Sequence, residues 1–188
     1  MNSEILIPIL IVLGVILIAG TIVWSIKRKN YSDKLRNKFG PEYDFAIKKE
    51  GDTRKAEQVL EEREKRVGEL EIHPLEGNMR ERYSAEWMET QTQFVDDPKR
   101  AVDQANRLIT EVMVARGFPI EDFEQRAADL SVLYPQFVPN YRSAHAIAQK
   151  NQNNGTSTEE LRQAMVHYHT LFDELLGIEP TRETEVTR

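Results

Sequence analysis

Residues 5–26 read ILIPILIVLGVILIAGTIVWSI, and this stretch decides how the remainder of the chain is read. Its 22 residues carry no ionisable side chain, and fifteen of them are Ile, Leu or Val. At a rise of about 1.5 Å per residue such a helix spans the roughly 30 Å hydrocarbon core of a bilayer. Central Ile, Leu and Val each favour insertion by a few tenths of a kcal/mol, so the run favours it by several kcal/mol despite Pro8, Gly14 and Gly20. An uncleaved transmembrane helix is therefore expected. A cleaved signal peptide fits less well: the first four residues carry Glu4 and no basic residue, the apolar run is too long, and no small-x-small site follows. A buried core helix is seldom apolar all round over such a length.

Lys27, Arg28 and Lys29 follow at once. By the positive-inside rule they put the C-terminal side in the cytoplasm and the short N-terminus outside the cell membrane. Trp24 lies one turn earlier, where an indole suits the interface, and Gly14 and Gly20 do not match the spacing of a G-x-x-x-G pair. Lys27, Arg28, Lys29, Lys34, Arg36 and Lys38 against Asp33 give residues 27–38 a charge of +5, whereas residues 39–188 hold 19 basic and 29 acidic side chains, or -10. Those six cations are the candidate membrane-surface residues, attracted to an anionic leaflet by about 1 kcal/mol each when close to it. The competing view is that they only set topology.

Beyond the run the chain shows 3.6-residue periodicity and no useful strand-like alternation, so an all-α domain of about six to eight helices is expected. The expected organisation is an anchor at 1–26, basic juxtamembrane helices at 27–51, a bundle at 52–177 and a disordered tail at 178–188. Gly40-Pro41 separates a short helix at 31–39 from one at 41–49 that ends on Gly51. Asp52 caps a third helix at 53–72, with Thr53, Leu60 and Val67 at heptad a positions and Ala56, Arg63 and Leu70 at d, stopped by Pro74. A fourth spans 78–95, with Tyr83, Trp87, Gln91 and Phe94 near one stripe, core before partner groove. Asp97 and Pro98 then start a fifth helix whose Ala101, Val102, Ala105, Leu108, Ile109, Val112 and Met113 form a clear core face. A sixth is expected at 121–133 and a seventh within 136–151, beginning or kinking at Pro139. After a polar loop at 151–155, Ser157 and Glu160 form a capping box for a last helix.

The segments FGPEYD (39–44), FVDDP (94–98), DFEQRAADLS (122–131) and NYRSAH (140–145) resemble a family of uncharacterised bacterial single-pass membrane-anchored helical proteins, usually labelled hypothetical or secreted. The resemblance covers nearly all of the part after the anchor and implies no activity. Pro139 departs from the family pattern.

No reaction centre is legible. Without cysteine there is no disulfide framework, thiolate zinc site or cysteine nucleophile. The net charge of -6 disfavours a general nucleic-acid partner. His167 and His169 lie about 200° apart around a helix and cannot chelate one ion, and no Glu-x-x-His pair supplies a di-iron site. Asp96 with Asp97 is too few oxygens for a cation, and helix capping accounts for Asp97. No Gly-rich phosphate loop or G-x-S-x-G occurs. Glu124, Arg126 and Asp129 with His145 form the one polar set that could bind a ligand, against the plainer reading of an ion-pair cluster packed on Asp96, Asp97 or Arg142. No catalytic, metal or cofactor-binding residue is assigned, no cofactor is expected, and the leading expectation is a non-enzymatic protein-interaction or scaffolding module, meeting lipid through its first helix and an unknown protein through its bundle. The alternatives are an anionic-lipid or ligand sensor in which residues 30–39 switch between membrane and bundle, and an enzyme with a nonstandard pocket around the polar set.

Overall fold

A computed structural model of the chain describes residues 3–152 and 155–177, with the backbone alone for residues 3–13, 15, 16 and 152. The described residues form eight helices and no strand: α1 (Ser3–Phe39), α2 (Pro41–Glu50), α3 (Thr53–Gly68), α4 (Gly77–Asp96), α5 (Pro98–Ala115), α6 (Phe123–Leu133), α7 (Val138–Gln152) and α8 (Thr158–Leu176). The all-α reading holds. Among the described residues no helix is long and apolar enough to cross a membrane. The side chains of residues 5–13, 15 and 16, which carry most of the expected span, lie outside the described residues, as does the tail at 178–188.

The helix expected at 31–39 is not a separate element. It is the end of α1, which continues from the apolar run because no Gly or Pro occurs between Gly20 and Gly40. Gly40, at a positive φ of 49°, turns the chain into α2, and Gly51 closes α2 in the left-handed conformation. The carboxylate of Asp52 accepts from the Lys55 amide and starts α3. That helix ends at Gly68 rather than 72. Its last amides close onto Arg66 and Val67, and the chain then straightens so that the His73 amide can donate to the Arg116 carbonyl and Leu75 can enter the core. Pro74 thus marks the stop a few residues late.

Other boundaries move for local reasons. Asp122 caps α6 through the Gln125 amide, so the helix opens at Phe123 and not 121. Pro139 sits in the first turn of α7, where its missing N–H costs little, and the helix starts at Val138. On α4 the inward stripe is Tyr83, Trp87 and Thr90, while Gln91 is exposed. On α3 the heptad positions Ala56, Leu60, Arg63 and Val67 are buried; Thr53 is exposed and Leu70 lies past the helix end. Asp97 caps α5, and the Ser157–Glu160 capping box opens α8, as expected.

Two apolar clusters form. The larger joins α4, α5, α7 and α8 with Ala127 and Leu130 of α6, centred on Ile109, Met113, Tyr141, Tyr168 and Phe172. The smaller is a knot at the foot of α1, where Leu35 and Phe39 pack with Tyr43 and Ala46 of α2 and Ala56 and Leu60 of α3. Phe39 and Leu60 are fully buried, each worth about 1.5–3 kcal/mol relative to exposure. Helices α2 and α3 meet α6 and α7 across the seam between the clusters, and this seam carries the polar set.

Candidate functional site

The seam is built around Glu42, placed by Pro41 at the first turn of α2 and almost fully buried. Arg63 Nη1 donates to its Oε2 at 3.4 Å, and Arg142 reaches Oε1 at 3.3 Å through Nε and Oε2 at 3.5 Å through Nη2. Arg63 also donates to the Ser131 hydroxyl at 3.2 Å, which in turn donates to the Ala128 carbonyl. Burial pulls the Arg63 guanidinium below its usual value, opposed chiefly by Glu42. Arg142 sits over the Phe45 ring, its Cζ 4.2 Å from the centroid, in a cation–π contact.

The four residues singled out from the sequence separate around this centre. Glu124, at the start of α6, accepts from Arg142 at 3.1 and 3.2 Å and from Lys49 at 3.2 Å. Its partial burial favours protonation, but the two cations hold its carboxyl below the ordinary range. Asp129 points the other way, onto α3, where its nearly buried carboxylate accepts from Arg66 at 2.9 Å and Gln125 at 3.1 Å. Burial nevertheless raises its pKa. Arg126 donates to the Glu121 carbonyl and to the Tyr141 hydroxyl at 3.4 Å. His145 stacks on Phe123 with centroids 3.5 Å apart and planes 6° from parallel, and its buried Nδ1 makes no hydrogen bond. Burial and then Arg126 lower its pKa, with Glu124 opposing, so the ring is neutral near pH 7.

Glu124 and His145 do share a wall. With Phe45, Phe123 and Arg142 they line an open cleft of about 440 Å³, while Asp129 and Arg126 lie outside it. On the other side of Glu124 a second cleft of about 400 Å³ runs along Lys49, Arg63 and Arg66. Each of those cations is already paired with a carboxylate, and the Glu42 carboxylate is shared between Arg63 and Arg142. The expected contact of this cluster with Arg142 is present; Asp97 is engaged instead in capping α5. The centre itself, Glu42 with Arg63, escaped the sequence reading. Its only signals were an Arg at a heptad d position and a Glu directly after a helix-starting Pro.

The basic residues of α1 also divide. Arg36 pairs with Asp44 at 3.3 Å and lies over the Tyr43 ring, and Lys38 pairs with Glu64 at 2.8 Å. Arg28 sits over Trp24, with its Cζ 5.9 Å from the centroid. Lys27, Lys29 and Lys34 are exposed, and no ion pair involves them among the described residues.

Set against known proteins, the chain matches nothing: no protein family, curated protein or solved structure is similar to it. Among the described residues no group of three His, Asp or Glu side chains is placed to hold a metal ion. The polar centre is thus a neutralised ion-pair network joining two apolar clusters, flanked by shallow clefts. An apolar concavity of about 530 Å³ lies elsewhere, between α4 and α5, where Tyr83 and Val114 border the exposed Ile120.

Proposed function

We propose that the chain is a single-pass membrane protein whose helical bundle is held rigidly beneath the cytoplasmic leaflet as a protein-interaction or scaffolding module. The observation that carries this reading is the continuity of α1. One helix of 37 residues contains the whole uncharged run and ends on Phe39, which is fully buried in the knot with α2 and α3. A flexible leash would let the domain sample the membrane freely. A helix locked into a core at its lower end transmits the orientation of the span to the domain.

For the partner, the concavity bordered by Val114 and Ile120 offers apolar area at the end of α5. The surrounding domain is acidic, which favours a basic partner and salt-sensitive binding. A non-enzymatic role is favoured because the two carboxylates of the polar set, Glu124 and Asp129, are each paired with cations. The switch of residues 30–39 onto the membrane is disfavoured, because it would pull Leu35 and Phe39 out of the knot.

Crosslinking with mass spectrometry on membranes holding the full chain, with residues 27–188 as control, tests the proposal. A partner captured only with the anchor present supports a tethered module. Capture that is identical without the anchor, or self-links alone, overturns it.

A further inference from the structure

The register of α1 against α3 places a second basic segment at the level of the membrane exit. Ser32 donates to Glu57, and Lys38 pairs with Glu64, so α1 and α3 run parallel through the knot with α2 returning between them. Continuing that register toward the N-terminus brings Arg54 and Lys55 level with residues 28–30, within about one helical turn of Ile26. Lys48 lies in the last turn of α2, next to the Gly51 turn that leads into α3. Lys48, Arg54 and Lys55 are exposed, and no ion pair involves them among the described residues. The two acids of the turn are Glu50 and Asp52, and Asp52 is engaged with the amide of Lys55 as the cap of α3. Lys49 is drawn aside to Glu124.

We infer that the α2–α3 turn, through Lys48, Arg54 and Lys55, forms with Lys27 and Lys29 a basic platform that rests on anionic lipid headgroups. The inference depends on the tether proposed above and adds to it a contact that fixes the rotation of the bundle about the axis of α1. These cations come from two separate stretches of the sequence, and they meet at one height on a chain whose residues 39–188 carry a net charge of -10 even with Lys48, Arg54 and Lys55 included. At that height they fall within the roughly 8 Å over which charges act in physiological salt. Each basic residue near an anionic surface shifts the contacting population about five-fold.

The chain has no cysteine, so Thr53→Cys supplies a unique labelling position on the exposed turn. The full chain, labelled there with a fluorophore, is reconstituted in phosphatidylcholine vesicles with and without phosphatidylglycerol, both carrying a headgroup quencher. Quenching is expected with phosphatidylglycerol, falling toward the neutral-vesicle level in about 1 M salt, where screening acts within about 3 Å. The triple variant Lys48→Gln, Arg54→Gln, Lys55→Gln should reduce the contacting population about a hundred-fold, whereas Lys65→Gln with Arg80→Gln, exposed cations elsewhere, should change nothing. Equal quenching in both lipids, or none lost in the triple variant, overturns the platform. Alkaline extraction separates the two readings: an extracted chain overturns tether and platform together, and a retained chain with an unquenched label overturns the platform alone.

Discussion

Replacing Glu42 with Gln removes the carboxylate that Arg63 and Arg142 share, and leaves two guanidiniums facing each other in the seam. Breaking a buried pair by deleting one partner costs about 3–5 kcal/mol, because the surviving charge stays desolvated. The three contacts, at 3.3 to 3.5 Å, are longer than the roughly 2.7–2.9 Å of the strongest charge-assisted bonds, and Arg142 keeps Glu124 while Arg63 keeps Ser131. The lower end of the range, about 3 kcal/mol, therefore applies. For a chain of this length each kcal/mol lowers Tm by about 2–4 °C, which predicts a fall of about 6–12 °C. Residues 27–188 suffice for the measurement, since no described residue before Leu35 is buried. Urea unfolding followed by circular dichroism measures the loss, and the double variant Glu42→Gln with Arg63→Met closes a cycle. Because the cost comes from a stranded charge, the double variant should lose less than the sum of the singles by more than about 1 kcal/mol. Additive losses, or a Glu42→Gln variant less than about 1 kcal/mol below the parent, would refute the assignment of Glu42 as the counter-charge of the seam.

Two further outcomes follow from the same framework. The pKa of His145 is lowered in the folded state, so its stabilising contribution is complete above the unfolded value of about 6.5 and is lost as pH falls below it; unfolding midpoints should drop between about pH 7 and 5, and His145→Phe, which keeps the stack on Phe123, should flatten that slope, an unchanged slope assigning it to another group. Gly117 has a φ of 94°, and a Cβ there would run into the Glu71 carbonyl oxygen; Gly117→Ala should cost about 1–3 kcal/mol in the same urea assay, and a neutral result would show that the turn carrying His73 onto Arg116 is free to shift.

Helix identity was legible where it rested on short-range chemistry. Asp97 before Pro98, Ser157 with Glu160, and Gly51 and Gly177 after their helices all act within a turn, and all stand in the structure where the sequence puts them. Boundaries set by distant partners were not legible. The early end of α3 answers to Leu75 and to the Arg116 carbonyl, more than forty residues away from the bond it makes with His73. The unbroken α1 follows from an absence of helix breakers, which is visible in the sequence but gains weight only when Phe39 is seen buried. For the polar set, spacing on one short helix suggested a single cluster, yet successive turns of α6 face different neighbours. Glu124 meets α2 and α7, while Asp129 meets α3. Which neighbour stands on each side is a property of topology and cannot be read from α6 itself.

The polar character of the seam bears on the tethered role proposed above. Two apolar clusters could have merged into one core, and apolar contact is insensitive to direction. Here, besides Val132 packed on the smaller cluster, they are joined by contacts that are directional: the Arg142 fork on Glu42 and over Phe45, Arg63 between Glu42 and Ser131, and Arg66 on Asp129. Replacing such a network with apolar side chains of similar size is often neutral or stabilising, so stability alone does not explain its presence. What directional contacts of this kind can add is a defined angle between the knot at the foot of α1 and the bundle of α4 to α8. If α1 fixes the knot relative to the bilayer and the basic turn at Gly51 fixes its rotation, the seam completes the chain of constraints that gives the Val114 and Ile120 face a single orientation toward a partner.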